Sequence, residues 1–271
     1  MHSITIIGRG RVGGALEQRA IAVGHGVVAI DRASFPGWCE RDTPLGDVVV
    51  IATKDDVLPD VVAEIARAKA SALHDVVVMH VNGSLGVEAL APLRACGARC
   101  AAAHPFQTFG SSDPTALDGI GWGVEADDAA WGSVRDLIAS LGGVPWRFTD
   151  MTHERKRRYH AAAVAASNFT YAAYELARRL AASADIPADV FLVPIMQRTL
   201  QNASTAISDN TEFAITGPLM RGDIDAVRRQ LESIPASDRP LYCHLSRALL
   251  DVVGADWDAD KRAAMERVLG G

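Results

Sequence analysis

Hydrophobic and polar positions fall into two regimes along the chain. Up to about residue 150, short apolar runs alternate with stretches of helical spacing. Ser3–Ile7 is rich in β-branched residues and reads as a strand. Residues 12–23 carry helical spacing up to Gly24, and 27–30 form the next strand, closing on Asp31. The segment 35–46 holds Pro36, Gly37, Pro44 and Gly46 and reads as a loop. Then come a strand at 47–52, a helix at 57–70 with Pro59 in its first turn, and a buried strand at 76–81. A short helix at 86–95 and a strand at 98–103 follow, the strand ending at His104-Pro105. Two last strands, 121–124 and 145–148, bracket a helix over 128–141. Continuous apolar strands separated by helices predict an α/β layer: a doubly wound parallel sheet covered on both faces.

After Asp150 the pattern becomes helical throughout. Residues 152–182 form an alanine-rich stretch without Gly or Pro, long enough for a helix of over roughly 40 Å. Further helices are predicted over 189–204, 223–233, 241–253 and 258–269. The expected organisation is an α/β domain over 1–150 and an all-helical domain over 151–271.

Composition narrows the partners. The 271 residues are 49% hydrophobic and 22% charged, a soluble balance with a sizeable core, and the net charge is −6. That acidity argues against nucleic acid or an anionic membrane as partner, while leaving room for a small-molecule substrate held by local charges. No apolar run reaches the ~18 residues of a membrane helix, and no apolar signal segment opens the chain. Cys39, Cys96, Cys100 and Cys243 fit no zinc spacing and read as free thiols. The chain is expected to be cytoplasmic and to bind no metal.

Candidate chemistry begins at Gly8-Arg9-Gly10-Arg11-Val12-Gly13, a G-x-G-x-x-G loop between a predicted strand and a predicted helix. Gly8 permits the tight turn, Gly10 lets the backbone approach a pyrophosphate, and Gly13 lets the helix lie close to the strand. The helix N-terminus offers N–H groups to the phosphates. The first domain is therefore expected to be Rossmann-like and to hold NAD or NADP. Asp31, ending the second strand, suits the ribose hydroxyls of NAD. Arg32 can instead face a 2′-phosphate, and Arg9 and Arg11 can reach phosphate.

The later strand ends are polar: Thr53-Lys54-Asp55-Asp56, His80-Val81-Asn82-Gly83-Ser84, and His104-Pro105-Phe106-Gln107-Thr108-Phe109. Ligands of such sheets sit at these ends. Thr53, Asn82 and Ser84 are candidates for the nicotinamide side, and Asp55 or Asp56 for a helix cap. His104 reads either as a substrate-side residue or as a structural hydrogen-bonding group. On the long helix, Lys156, His160, Ser167 and Tyr171 share one side, with Asn168 at its edge. Lys156 could polarise a substrate group, His160 deliver a proton and Asn168 orient the substrate. The same run, Lys156-Arg157-Arg158-Tyr159-His160, also reads as a solvated basic turn. Farther on, Arg221 in a Gly-Pro turn could bind a carboxylate.

With these residues in view, the chain resembles a two-domain family with a Rossmann-like half and a helical half known as DUF2520. The resemblance rests on residues 8–13, Asn82-Gly83-Ser84, His104-Pro105-Phe106-Gln107-Thr108-Phe109, Tyr159-His160-Ala161-Ala162-Ala163, Ser167-Asn168-Phe169 and the stretch from Thr216 to Asp223. It implies kinship with the 6-phosphogluconate dehydrogenase, ketopantoate reductase and pyrroline-5-carboxylate reductase group. It further implies NAD(P)-dependent oxidoreduction and a homodimer built through the helical half. Two departures stand out. The first two enzymes of that group carry Lys and Asn four residues apart, where this chain has Lys156 and His160. The family usually reads Ser-Gly where this chain has Asn82-Gly83.

Three functions follow as expectations. The first is reduction of a small 2-oxo acid, ketopantoate being one candidate, with Lys156, His160 and Asn168 catalytic and His104, Ser167 and Arg221 on the substrate. The second is an imine reductase resembling pyrroline-5-carboxylate reductase, which asks less of a basic catalytic group. The third is a dinucleotide-binding sensor or scaffold without turnover.

Overall fold

The apolar runs become seven strands of one sheet in the computed structural model, which describes residues 1–253 and 257–270. In chain order these are β1 (Ser3–Ile7), β2 (Gly26–Ile30), β3 (Val48–Ile51), β4 (Val77–His80), β5 (Arg99–Pro105), β6 (Gly121–Ala126) and β7 (Val144–Arg147). Their spatial order is β2-β1-β3-β4-β5-β6-β7. Helices α1 (Arg11–Ala22), α2 (Phe35–Glu40), α3 (Leu58–Lys69), α4 (Ala91–Ala95) and α5 (Asp128–Ser140) connect them.

Strand alternation divides the core into two layers. Val48 and Val50 of β3, with Val77 and Met79 of β4, join Leu16 of α1 and Leu137 of α5 on one face. Val49, Ile51 and Val78 join Leu58 and Ile65 of α3 and Leu93 of α4 on the other. Both faces being covered, the middle strands are apolar at nearly every position.

Two expectations need correction. The sheet is parallel from β2 to β5, but β6 runs antiparallel to β5 and parallel to β7. Residues 106–120 carry only a short 3-10 turn at Pro114–Leu117 in place of a crossing helix, so the chain doubles back beside β5. The expected loop over 35–46 also contains α2. Pro36 sits in its first turn, where proline suits a helix, and Trp38 and Cys39 are buried.

Beyond the sheet lie α6 (His153–Ser183), α7 (Ala188–Asp209), α8 (Pro218–Arg221), α9 (Ile224–Ser233), α10 (Arg239–Val253) and α11 (Ala259–Val268). Two compact units are present, Met1–Ser167 and Asn168–Gly271. The compositional break at 150 precedes α6, whereas the structural division falls within it, so Lys156 and His160 belong to the sheet unit. The second unit has its own core, with Leu219, Val227, Leu231, Leu250 and Met265 among its buried members. Among the described residues, no helix is long and apolar enough to cross a membrane.

Candidate active site

The chain leaves β1 at Gly8, whose φ of 102° is a conformation that favours glycine. Gly8 N–H donates to the Ile30 carbonyl at 2.8 Å, tying the turn to β2. A Cβ on Gly8 would stand 2.6 Å from the Ala52 carbonyl oxygen, and one on Gly13 would stand 1.8 Å from the Gly8 carbonyl oxygen. Helix α1 can approach the loop this closely only because Gly13 has no side chain. Around Gly10, by contrast, the space a Cβ would take is open to 4 Å, and no side chain caps the helix that begins at Arg11. The first-turn N–H groups of α1 thus lack a side-chain acceptor, which is the arrangement an anionic diphosphate needs.

The flanking charges are partly engaged. Arg9 forms a two-pronged pair with Glu17 at 2.8 and 3.0 Å. Asp31 Oδ1 accepts from the Ser34 amide at 2.8 Å and from the Ser34 hydroxyl at 2.6 Å, bonds that hold its carboxyl below the usual carboxylate range. Arg11 and Arg32 are exposed.

The ends of β3 and β4 form a hydrogen-bonded knot. Asn82 is 6% exposed, and its amide Nδ2 donates to Thr53 O at 3.0 Å and to Asp55 Oδ1 at 2.6 Å. Ser84 Oγ donates to the other Asp55 oxygen. Burial works against the Asp55 charge, yet the Ser84 and Asn82 bonds outweigh it, and the carboxyl titrates below its ordinary value. Two buried oxygens here have no partner among the described residues: Thr53 Oγ1 and Asn82 Oδ1. Orphaned groups beside an uncapped helix and an open Gly10 fit a cofactor with hydroxyl and carboxamide donors.

Beneath Asn82 lies His80, fully buried. Its Nδ1 accepts from the backbone N–H of Asn82 at 3.3 Å, which leaves the ring proton on Nε2, 2.9 Å from the Gly86 carbonyl. Burial pushes its pKa down to about 4. His104, near the end of β5, is also lowered to about 4, by burial first and then by the nearby Lys156 charge. Its Nδ1 stands 2.9 Å from the Tyr159 hydroxyl, whose pKa burial raises to about 12. Tyr159 packs against Phe106 and Phe148 with ring centroids 4.9 and 5.5 Å away. At neutral pH both histidines and the phenol are uncharged.

Gly83 is where α6 meets the strand ends. A Cβ there would lie 2.8 Å from His104 Nε2 and 2.9 Å from His160 Nδ1, so both imidazoles crowd the space that a side chain at Gly83 would take. One turn earlier, Lys156 is 3% exposed, with Nζ 2.5 Å from Glu125 Oε1 of β6. A cavity of about 410 Å³ opens beside this pair, lined also by Gly86, Glu88 and His153.

Residues 38–105 match the Rossmann-like domain family and residues 120–249 match DUF2520, a domain of unknown function. The chain carries a Rossmann-like domain and a DUF2520 domain. No curated protein matches it by sequence. Among solved structures, a Bacteroides fragilis protein assigned as an NADP oxidoreductase is similar at 22% identity and a TM-score of 0.71, covering 92% of this chain and 98% of its own. Thermotoga maritima protein TM1727 is similar at 23% identity and a TM-score of 0.65, covering 94% and 100%. An imine reductase from Myxococcus stipitatus in complex with NADP+ is similar at 15% identity and a TM-score of 0.64, covering 99% and 100%. At these identities the likeness establishes a shared fold.

The Rossmann-like unit brings together most of the residues singled out from sequence. The loop 8–13, Asp31 and Arg32 gather at the ends of β1 and β2. Thr53 and Asn82 bond each other, and His104, Lys156 and His160 cluster around Gly83 and β6. Ser167 closes this unit, its Oγ donating to the Ala163 carbonyl at 2.7 Å. Asn168 and Arg221 belong to the second unit. Lys156 is no solvated basic turn, because Glu125 draws it into the sheet unit. Asp55 is no helix cap: α3 begins at Leu58 with Val57 in the cap position, and the Asp55 carboxylate turns to Asn82 and Ser84. Sequence patterns do not single out Glu125, and they give Tyr159 no role of its own. Their partners are 31 and 55 residues away in sequence, and no local pattern marks such pairs.

Proposed function

We propose that the protein is an NAD(P)-dependent oxidoreductase that reduces a polarised double bond in a small molecule. One observation carries this reading: a glycine loop that brings an uncapped helix N-terminus against an open Gly10, next to unpartnered polar oxygens at the following strand ends. Residues 8–13 would hold the diphosphate, Asp31 or Arg32 the adenosine end, and Thr53 and Asn82 the nicotinamide side. The bound cofactor would supply the hydride. His160, exposed beside Gly83 and His104, is the proposed proton-handling group. Lys156 acts in this reading through its charge, from inside an ion pair with Glu125.

A small 2-oxo acid such as ketopantoate and an imine both fall within this class. Self-association is part of the proposal. Helix α7 runs for 22 residues with Ala206 as its one buried member, and Val193, Leu200 and Ile207 expose an apolar stripe at heptad spacing.

Titration of the intrinsic tryptophan fluorescence with NADH and NADPH tests the reading. Wild type is expected to bind at least one of them saturably, and Gly13→Val to bind neither. A panel of 2-oxo acids and cyclic imines follows. Binding without reduced-cofactor oxidation on any member would favour a sensor over an enzyme.

A further inference from the structure

The Tyr159 hydroxyl decides which nitrogen of His104 carries the proton. Burial raises the phenol to about 12, so its own proton stays in place at neutral pH. Phe106 and Phe148 flank the ring and bring no side-chain acceptor. The oxygen also stands over Gly123, where a Cβ would come within 2.6 Å of it. A backbone hydrogen bond from Gly123 to this oxygen lowers the phenol pKa, which is the sign of a donor. Among the described residues, one acceptor is left for the hydroxyl proton: His104 Nδ1, 2.9 Å away. The opposite arrangement, with Nδ1–H donating to the phenol, would leave a half-buried O–H without an acceptor.

With the Nδ1 lone pair taken, the proton of the neutral ring sits on Nε2. That nitrogen makes no hydrogen bond among the described residues and is not sealed from solvent. It lies over Gly83, 2.8 Å from where a Cβ would stand, and His160 Nδ1 is 2.9 Å from the same point. Burial is the main reason that the His104 ring stays neutral. Lys156 and His160 on α6 and His80 on β4 add to it, and Asp55, after β3, opposes it. His104 therefore offers an N–H that is fixed in direction and stays on the ring at neutral pH.

We propose that Tyr159 is a positioning residue that holds His104 as its Nε2–H tautomer, and that this N–H donates to an acceptor oxygen of the substrate. The inference rests on the oxidoreductase reading above and deepens it: the substrate carries a carbonyl or carboxylate oxygen on the Gly83 side. His104 is then a substrate-binding residue, and no bond is made or broken at it. The two histidines divide the work. His160, exposed, handles the proton, while His104 orients the substrate through the oxygen it binds. A 2-oxo acid and a cyclic imine bearing a carboxylate both present such an oxygen, and unsubstituted pyrroline does not.

The test pairs spectroscopy with turnover. Long-range proton–nitrogen NMR spectra of the full chain, labelled at the histidine ring nitrogens, tell a protonated nitrogen from a bare one. The His104 signals are those missing from His104→Gln. Wild type is expected to show His104 with Nδ1 bare and Nε2 protonated, alike at pH 8 and pH 6. Tyr159→Phe is expected to show a mixture of both tautomers. With the best substrate of the panel, Tyr159→Phe should lower kcat/KM roughly ten-fold. In a His104→Gln background the same change should cost little, because no tautomer is left to set. A merely structural tyrosine would cost the same in both backgrounds. NADH and NADPH titrations keep the two readings apart. Wild type that binds neither, or binds one without turning over any panel member, would overturn the oxidoreductase reading and this inference with it. Intact turnover with Nδ1 protonated in wild type, or with additive losses, would overturn this inference alone. So would faster turnover of unsubstituted pyrroline than of its carboxylate and of every 2-oxo acid.

Discussion

A histidine buried without a charged partner writes its position into the pH dependence of the fold. Unfolded, it takes its proton near pH 6.5; His80 in the native state resists protonation down to about 4. Folding therefore favours the neutral ring, and the stability this contributes is whole above pH 6.5 and drains away as the pH falls towards 4. At ~1.4 kcal/mol per pH unit the loss from His80 comes to roughly 3 kcal/mol. Urea melts of wild type between pH 7 and 4 should show it, and His80→Gln should flatten the slope. His104 titrates in the same direction. Gly83 offers a second test at this scale. Gly83→Ala would place a methyl within 3 Å of both His104 and His160, and is expected to cut kcat by at least roughly ten-fold while dinucleotide affinity holds. The role of residues 8–13 is legible in the sequence, because a glycine turn between strand and helix has few other uses. That of His80 is not, since a histidine inside an apolar strand looks the same whether it binds a ligand or a carbonyl.

Helix α6 joins the site through one buried pair. Lys156 and Glu125 come from elements that sequence periodicity finds separately, and neither announces the other. Removing one partner leaves a charge buried alone, so Glu125→Gln is expected to cost about 3–5 kcal/mol in chemical denaturation. The double variant Lys156→Met with Glu125→Leu should recover most of that loss, since well-packed apolar side chains can replace such a pair. Turnover of the double variant then separates two roles. A folded but inactive protein would mean that the Lys156 charge acts on the substrate; a folded and active one would make the pair structural. Helix α2 shows the complementary point about local signals. Proline and glycine read as breakers in isolation, yet Pro36 opens a helix because Trp38 and Cys39 gain burial against the core.

For the molecule as a whole, the exposed stripe of α7 is the feature that one chain does not satisfy. Val193, Leu200 and Ile207 are 46%, 61% and 71% exposed on a helix too long to be held by its single buried residue. A second copy of the chain is the proposed cover. Light scattering after size exclusion is expected to give twice the mass of one chain. Leu200→Asp is expected to shift it towards the monomer without changing dinucleotide affinity, because the glycine loop lies in the other unit.

The sequence alone determined the α/β layer, the position of the glycine loop, the helical second half and the polar strand ends. All of these follow from periodicity and from the backbone demands of glycine, which act over a few residues. Tertiary structure decided the rest. The reversal of β6, the capture of Lys156 by Glu125 and the turn of Asp55 towards Asn82 and Ser84 join groups tens of residues apart, where desolvation and hydrogen-bond geometry choose the partners.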